Sequence, residues 1–350
     1  MAKEIFLSKN RLIDYLSTTS KEKIQNLFFE ANELCNKIYG NKVFFRGIIE
    51  FSNICNKNCL YCGLRKDLEI ERYQMTKEDI LKCAEFCYKK GYGSLVLQSG
   101  EFETEKRIEF LSDVVSSIKK KFNLGMTLSL GELSKDSLKE LFKSGAHRYL
   151  IRIETSNEEL YNKIHPKDHS FKNRINTLEN LKSIGYQVGT GVMIGLPFQT
   201  IENLADDIIF FKNLDVDMLG MGPYVQNPQT PLFIEKPILA NPFELALKMV
   251  ALCRVYLKDV NIAATTALQT FDKKGREKAL LCGANILMPI VTPTNLRKNY
   301  LIYPDKPCIE DTKEKCFNCI SARLKSINKE IGYNKLGDSF HFFERKKKYD

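Results

Sequence analysis

Val43-Phe44-Phe45-Arg46-Gly47-Ile48-Ile49-Glu50-Phe51-Ser52-Asn53-Ile54-Cys55-Asn56-Lys57-Asn58-Cys59-Leu60-Tyr61-Cys62-Gly63 joins an apolar run to three closely spaced cysteines. Residues 43–50 read as a β-strand, and Cys55, Cys59 and Cys62 follow it in a Cys-x-x-x-Cys-x-x-Cys pattern. Thiolates are soft ligands suited to iron–sulfur clusters, which ordinarily take four of them. A tight loop that supplies three leaves one iron open, where a small molecule could chelate through an amine and a carboxylate. Two other readings stand beside this one. Buried structural thiols are usually scattered, not gathered in a loop with Asn56, Lys57 and Asn58. A structural zinc site wants a fourth Cys or His close by, and the nearest histidine is His147.

Outward from this stretch, strands and helices alternate. Further strands are read at 94–98, 126–130, 148–153, 187–194, 218–225, 261–265 and 284–289. Helices open at Thr76 with a pattern like a capping box, run over 105–121, begin near Ser134 and stop at Gly145, recur at 157–164 and 171–184, and follow Thr200. A strongly apolar helix spans 242–257 with Pro242 in its first turn, and a short one covers 276–281. Eight β/α units within 43–290 predict an α/β chain folded as a (β/α)8 TIM barrel. A doubly wound open sheet shares the rhythm. The barrel is preferred because chemically active residues follow several strand ends: residues 55–62 after the first, 98–101 after the second, Ser129 at the third and Glu154 after the fourth.

The flanks read differently. Residues 1–42 predict an N-terminal helical appendage: Thr19 or Ser20 caps a helix whose apolar positions Ile24, Leu27, Phe28, Ala31, Leu34 and Ile38 recur every three or four residues, and Gly40 ends it. Residues 291–350 predict a C-terminal extension, punctuated by Pro293, Pro304 and Pro307, that carries Cys308, Cys316 and Cys319. A last helix to about Ile331 and the basic run Glu344-Arg345-Lys346-Lys347-Lys348-Tyr349 complete it.

A chain of 350 residues can bury a large core, and 43% hydrophobic with 27% charged residues is ordinary for a globular protein. No segment approaches the roughly 18 to 20 apolar residues of a membrane span, and Met1-Ala2-Lys3-Glu4-Ile5 lacks the layout of a signal peptide. The expectation is a cytoplasmic protein without a membrane partner. Six of the 11 cysteines fall in two triplets, which fits metal ligation better than a disulfide framework. Cys35, Cys83, Cys87, Cys253 and Cys282 read as core or surface thiols. The net charge of +10 is spread over many helices, so a solvated surface is the reading and not a nucleic-acid partner.

The triplet at 55–62, with Tyr61 just before its last cysteine, resembles the radical S-adenosylmethionine (SAM) enzymes. More narrowly, the chain resembles the FeFe-hydrogenase maturases of the HydE type, in the group that also holds biotin synthase and methylornithine synthase. The likeness runs from the first strand to the tail triplet. It rests on Ile49-Glu50-Phe51-Ser52-Asn53, Cys59-Leu60-Tyr61-Cys62-Gly63-Leu64-Arg65, Leu97-Gln98-Ser99-Gly100-Glu101 and Thr127-Leu128-Ser129-Leu130-Gly131-Glu132. Arg148-Tyr149-Leu150, Gly195-Leu196-Pro197, Ala264-Thr265-Thr266-Ala267 and the spacing of Cys308, Cys316 and Cys319 add to it.

The resemblance implies a 4Fe-4S cluster on Cys55, Cys59 and Cys62 with SAM on the fourth iron, cleaved reductively to a 5′-deoxyadenosyl radical inside a shielding barrel. It implies a cofactor-binding set of Tyr61, Gln98, Ser99, Gly100, Ser129, Glu154, Arg174 and Met193. Ser99-Gly100-Glu101 stands where the family has Gly-Gly-Glu near the methionine amine. A guanidinium at Arg174 matches a carboxylate, Ser129 and Glu154 suit ribose and the amino-acid end, and Met193 with Ile194 suits adenine. Ordinary alternatives are ion pairs for Arg174 and Glu154 and core packing for Met193. For substrate, Arg46 inside an apolar strand wants an anion or a wet cavity, and Thr265, Thr266, Tyr300 and Tyr303 could bind a carboxylate. Strand propensity and turn bonding are the alternative for both threonines.

The tail triplet resembles the family's accessory iron–sulfur site, 2Fe-2S or 4Fe-4S, with zinc or no metal as alternatives. The implied function is a radical SAM maturase acting on a small cysteine- and iron-derived molecule in assembly of the hydrogenase di-iron subcluster. The partners implied are a small-molecule substrate, an electron donor of the ferredoxin or flavodoxin kind, the maturase HydG and the scaffold GTPase HydF. A methylornithine synthase-like or biotin synthase-like enzyme is the alternative, and a non-catalytic metal protein that binds nucleic acid is the rival of a different class.

Overall fold

Apolar runs that bury both faces build a parallel sheet, because helices must cover it on one side and side chains fill it on the other. A computed structural model describes residues 8–347; residues 1–5, read above for a signal-peptide layout, and Lys348 and Tyr349 of the basic run lie outside the described residues. The strands are β1 Lys42–Ser52, β2 Ser94–Ser99, β3 Gly125–Ser129, β4 Arg148–Leu150, β5 Gln187–Thr190, β6 Met193–Ile194, β7 Met218–Leu219, β8 Gly222–Pro223, β9 Asn261–Ile262, β10 Ile286–Leu287 and β11 Glu330–Ile331. Eight of them pair in parallel in the order β10-β1-β2-β3-β4-β5-β7-β9. The free edges meet: Ala263 bridges Ile286 in parallel, and Asn285 N–H donates to Ile262 O and Ala264 N–H to Ile286 O, both at 2.9 Å. The sheet is a (β/α)8 TIM barrel.

Two expected strands are broken. The runs 187–194 and 218–225 each split, and their second halves, β6 and β8, pair separately with each other. At the break the backbones touch, since a Cβ on Gly191 would lie 2.1 Å from Gly220 O. Only glycine permits that approach. The fourth strand ends at Leu150, ahead of Glu154, which takes a left-handed φ of 65°.

The helices start where their caps place them. Ser20 accepts from Lys23 N–H to open helix Lys21–Tyr39, and Gly40 closes it. Thr76 accepts from Asp79 N–H and also meets the Asp79 carboxylate, whereas a reciprocal capping box forms at Thr200 with Asn203. Helix Pro242–Leu257, buried over most of its surface including Lys248 and Arg254, packs against the N-terminal helices, which explains its largely apolar composition.

The tail corrects the sequence reading. Helix Lys313–Lys325 ends before Ile331, and β11 adds a strand in parallel to the start of β1. The segment after it closes the N-terminal end of the barrel. Leu336 O accepts from Ser94 Oγ at 2.6 Å and from Arg148 at 3.0 Å, and Gly337 O accepts from Asn261 at 2.9 Å. Asp338 pairs with the fully buried Arg148 at 2.6 Å, with His147 at 3.1 Å and with Gln187 at 2.8 Å. Arg46, expected at the substrate, belongs to this end. Its guanidinium donates to Gly337 O at 3.0 Å and lies 3.0 Å from Met218 Sδ. A backbone carbonyl supplied by a distant segment partners one end of the buried guanidinium, at the end of the barrel away from the cysteine loop.

Candidate active site

The cysteine loop leaves β1 at the opposite, C-terminal end and is held from several sides. Arg72 donates to the carbonyls of Asn53 (2.8 Å), Leu64 (2.9 Å), Arg65 (2.7 Å), Lys66 (3.3 Å) and Leu68 (3.0 Å). Neighbouring segments add backbone bonds: Asn56 N–H to Glu101 O, Leu60 N–H to Ile164 O, and Gly63 N–H to Ile302 O. Gly100 lies against the loop so closely that a Cβ would sit 2.4 Å from Ile54 O and 2.6 Å from Cys55 Cβ.

Each sulfur faces one nitrogen. Lys57 N–H points at Cys55 Sγ and Leu64 N–H at Cys62 Sγ, both at 3.4 Å. Cys59 Sγ faces His169 Nδ1 at 3.8 Å. Burial pushes all three thiols upward, Cys62 to about 12. A metal reverses this, since coordination deprotonates a thiol outright.

The loop forms one wall of a cavity of about 290 Å³ at the barrel's C-terminal rim. Of the residues expected to bind cluster, cofactor or substrate, Cys55, Cys59, Cys62, Tyr61, Gln98, Ser99, Gly100, Ser129, Glu154, Arg174, Met193, Tyr300 and Tyr303 line it. Gln98 donates to Tyr300 Oη at 3.1 Å, and Ser99 Oγ accepts from Arg107 at 2.7 Å. Glu154 ion-pairs with Arg152 at 2.9 Å; burial raises its carboxyl, with Arg152 and Arg174 opposing. Its left-handed backbone places strain at the rim, where strained residues cluster in active sites.

Arg174 is engaged on every nitrogen: Nε donates to Glu132 at 2.7 Å, one terminal nitrogen to Arg152 O at 2.6 Å, and the other meets His169 Nε2 closely, with Glu101 at 3.6 Å. His165 packs against the His169 ring, stacks on Tyr161 and meets Tyr61 Oη at 3.1 Å through Nε2. Burial, His169 and Arg174 hold His165 down at about 2, a neutral ring.

Three residues expected at the substrate lie outside the lining. Arg46 is at the other end, Thr265 Oγ1 donates to Met221 O at 2.8 Å, and Thr266 reaches the cavity only through a 2.7 Å hydrogen bond with Tyr303. Glu101, read with Ser99 and Gly100 beside the second strand, also lines the cavity, whereas sequence reading missed Lys57, Arg152 and His169. His165 and His169 had a usable signal, two of four histidines placed four apart. Arg152, a charge at the end of an apolar strand, had another.

The tail cysteines lie outside the cavity lining, with Cys316 buried and Cys319 exposed. Cys316 and Cys319 share one face of helix Lys313–Lys325. Cys316, hydrogen-bonded to Cys308, favours the thiolate there and holds the Cys308 thiol below its ordinary range. Arg297 fixes the loop by donating to Cys308 O at 2.7 Å and Asp311 O at 2.6 Å.

The profile described as the Radical SAM superfamily matches residues 49–211. The [FeFe] hydrogenase maturase subunit HydE of Thermotoga maritima is 44% identical over 322 residues, covering 92% of this chain and 91% of that protein. This chain belongs to the radical SAM superfamily. The 3-methylornithine synthase of Methanosarcina acetivorans is 29% identical over 289 residues, 81% of this chain and 80% of that one. Two solved structures share the fold. Methylornithine synthase PylB has a TM-score of 0.81 at 24% identity, covering 94% of this chain and 95% of that one. The [FeFe]-hydrogenase maturase HydG has a TM-score of 0.80 at 19% identity, covering 97% of this chain and 77% of that one.

As a radical SAM enzyme, the chain is of a family whose cofactors are a 4Fe-4S cluster and SAM. The residues present fit both. Three thiols of the right softness stand on one loop with an N–H aimed at two of them, and the adjoining cavity mixes carboxylates, a guanidinium, aromatic rings and Met193. No described helix is long and apolar enough to cross a membrane.

Proposed function

We propose that this radical SAM enzyme acts in [FeFe]-hydrogenase maturation, on a small cysteine- or iron-derived molecule held in the rim cavity. The observation that carries the reading is the 44% identity to a HydE maturase over 92% of the chain. Cys55, Cys59 and Cys62 would hold the cluster, and Gln98, Ser99, Gly100, Ser129, Glu154, Arg174 and Met193 would surround SAM. Cluster and SAM supply reductive cleavage of the sulfonium when bound. The chain's own part is positioning and exclusion of water. Arg72 and the bonds from residues 101, 164 and 302 hold the loop, Tyr300 and Tyr303 wall the cavity, and Thr266 orients the Tyr303 hydroxyl. Arg152, at the rim beside Glu154, offers a cation to a substrate carboxylate.

A one-electron donor, a HydG-like supplier and a HydF-like acceptor would be its partners, and the tail triplet would hold an accessory cluster. Residues 1–42, 43–290 and 291–350 would serve as helical support, barrel and extension. The test is complementation of a hydrogenase-producing host whose HydE gene is deleted. Restored hydrogenase activity, lost again with Cys55→Ala, is expected; no restoration by a protein that cleaves SAM in vitro would redirect the reading to another substrate.

A further inference from the structure

Two of the three site sulfurs face a backbone amide, whereas the nitrogen facing Cys59 is on a side chain, His169 Nδ1 at 3.8 Å. The histidine is 1% exposed at its side chain, so water does not compete for either ring nitrogen. Its tautomer follows from its other neighbour. Nε2 meets a terminal nitrogen of Arg174 in a close contact, and a guanidinium N–H only donates. Glu132 Oε1 lies farther off, 3.2 Å from Nε2, and turns to Arg174 Nε at 2.7 Å, so the nearer guanidinium sets the tautomer. Nε2 therefore accepts, and the ring proton sits on Nδ1, aimed at Cys59 Sγ.

We propose that His169 is a positioning residue for the radical SAM site: its Nδ1–H, fixed by Arg174 and Glu132, is the hydrogen-bond donor to the Cys59 sulfur and sets the reduction potential of the cluster there. A donor on a ligand sulfur stabilises the more negative, reduced state, and hydrogen bonds to sulfur are among the levers on such potentials. The line Glu132–Arg174–His169–Cys59 also joins the cavity wall to a ligand, so that a change in the partners of Arg174 reaches the donor at the Cys59 sulfur.

The proposal rests on residues 55–62 holding the cluster. It is tested on full-length protein, reconstituted anaerobically, by redox titration followed by electron paramagnetic resonance, with iron per chain measured alongside. His169→Leu removes the donor; His169→Asn keeps an N–H near the position of Nδ1. We expect H169L to bind iron like the parent with a more negative midpoint, and H169N to keep the parent midpoint. An unchanged midpoint in H169L, or an equal shift in both variants, overturns the proposal. If H169L holds no iron, H169N decides: iron with a parent-like midpoint supports it, and no iron or a shifted midpoint overturns it. A parent protein that takes up no iron at residues 55–62 instead removes the cluster assignment beneath it.

Discussion

Lys306 and Glu50 meet as a buried ion pair, each side chain 3% exposed, that ties the tail to the first barrel strand just below the cavity. Lys306 also donates to Tyr300 O at 3.0 Å, so the pair anchors the segment whose Tyr300 and Tyr303 wall the site. Removing one partner of a buried pair strands the other charge, at a cost of about 3 to 5 kcal/mol. Lys306→Met is expected to lose stability of that order in urea unfolding, and the double variant Lys306→Met with Glu50→Met to recover most of it. Additive losses in the double variant would show that the two groups act independently.

Gly100→Ala tests the cysteine loop. The new methyl group would meet Ile54 O and Cys55 Cβ, both under 3 Å, and Gly100 has no flexible side chain against it that could yield. The expected outcome is much reduced iron uptake on reconstitution with a melting temperature within a few degrees of the parent. Full iron uptake would mean that the loop has slack which its hydrogen bonds do not suggest.

Asp207 supplies a pH dependence. Burial raises its carboxyl to about 7, opposed by hydrogen bonds from Ser156 N–H (2.6 Å) and Oγ (2.7 Å). The folded state therefore holds a proton that the unfolded chain has already released near pH 4. The associated stability is present at low pH and declines as pH rises from about 4 to about 7. Asp207→Asn is expected to be more stable than the parent at pH 8 by a few kcal/mol and close to it at pH 4.5. Denaturation curves with the same offset at both pH values would refute the assignment.

At the other end of the barrel, Asp338→Ala leaves the fully buried Arg148 without its carboxylate. Hydrogen bonds to Leu336 O, Ser94 and Thr127 remain. The expected loss is again on the order of 3 kcal/mol, with SAM cleavage at low temperature preserved because the cavity lies at the far rim. A selective loss of SAM cleavage without destabilisation would place Asp338 in the chemistry.

The barrel was legible because its strands are buried on both faces and read as apolar runs, and because residues 55–62, 98–101 and Glu154 sit at strand ends. The split of the fifth and sixth strands was not. Gly191 and Gly220 mark it only once their backbones are seen in contact. Arg46 shows a different limit. Its place on β1 predicted a buried cation correctly, but its partner, Gly337 O, lies 291 residues away and belongs to a segment with no periodic pattern. For the same reason the two-residue β11 carried no signal. The spacing of His165 and His169 was a signal, but the partners of His169 were hidden because Cys59, Arg174 and Glu132 come from three separate elements.

The tail meets both ends of the barrel: residues 300–306 wall the cavity and pair with Glu50, while β11 and Asp338 complete the floor. A chain emerging from the ribosome therefore displays the cysteine loop long before its enclosure exists. Gly63 gains its partner Ile302 O only after almost 240 further residues have been made. Metal delivered to the nascent chain would meet an open loop, while metal delivered after release would meet the finished pocket. The order of translation thus separates the exposure of the ligands from the construction of the chamber that protects them.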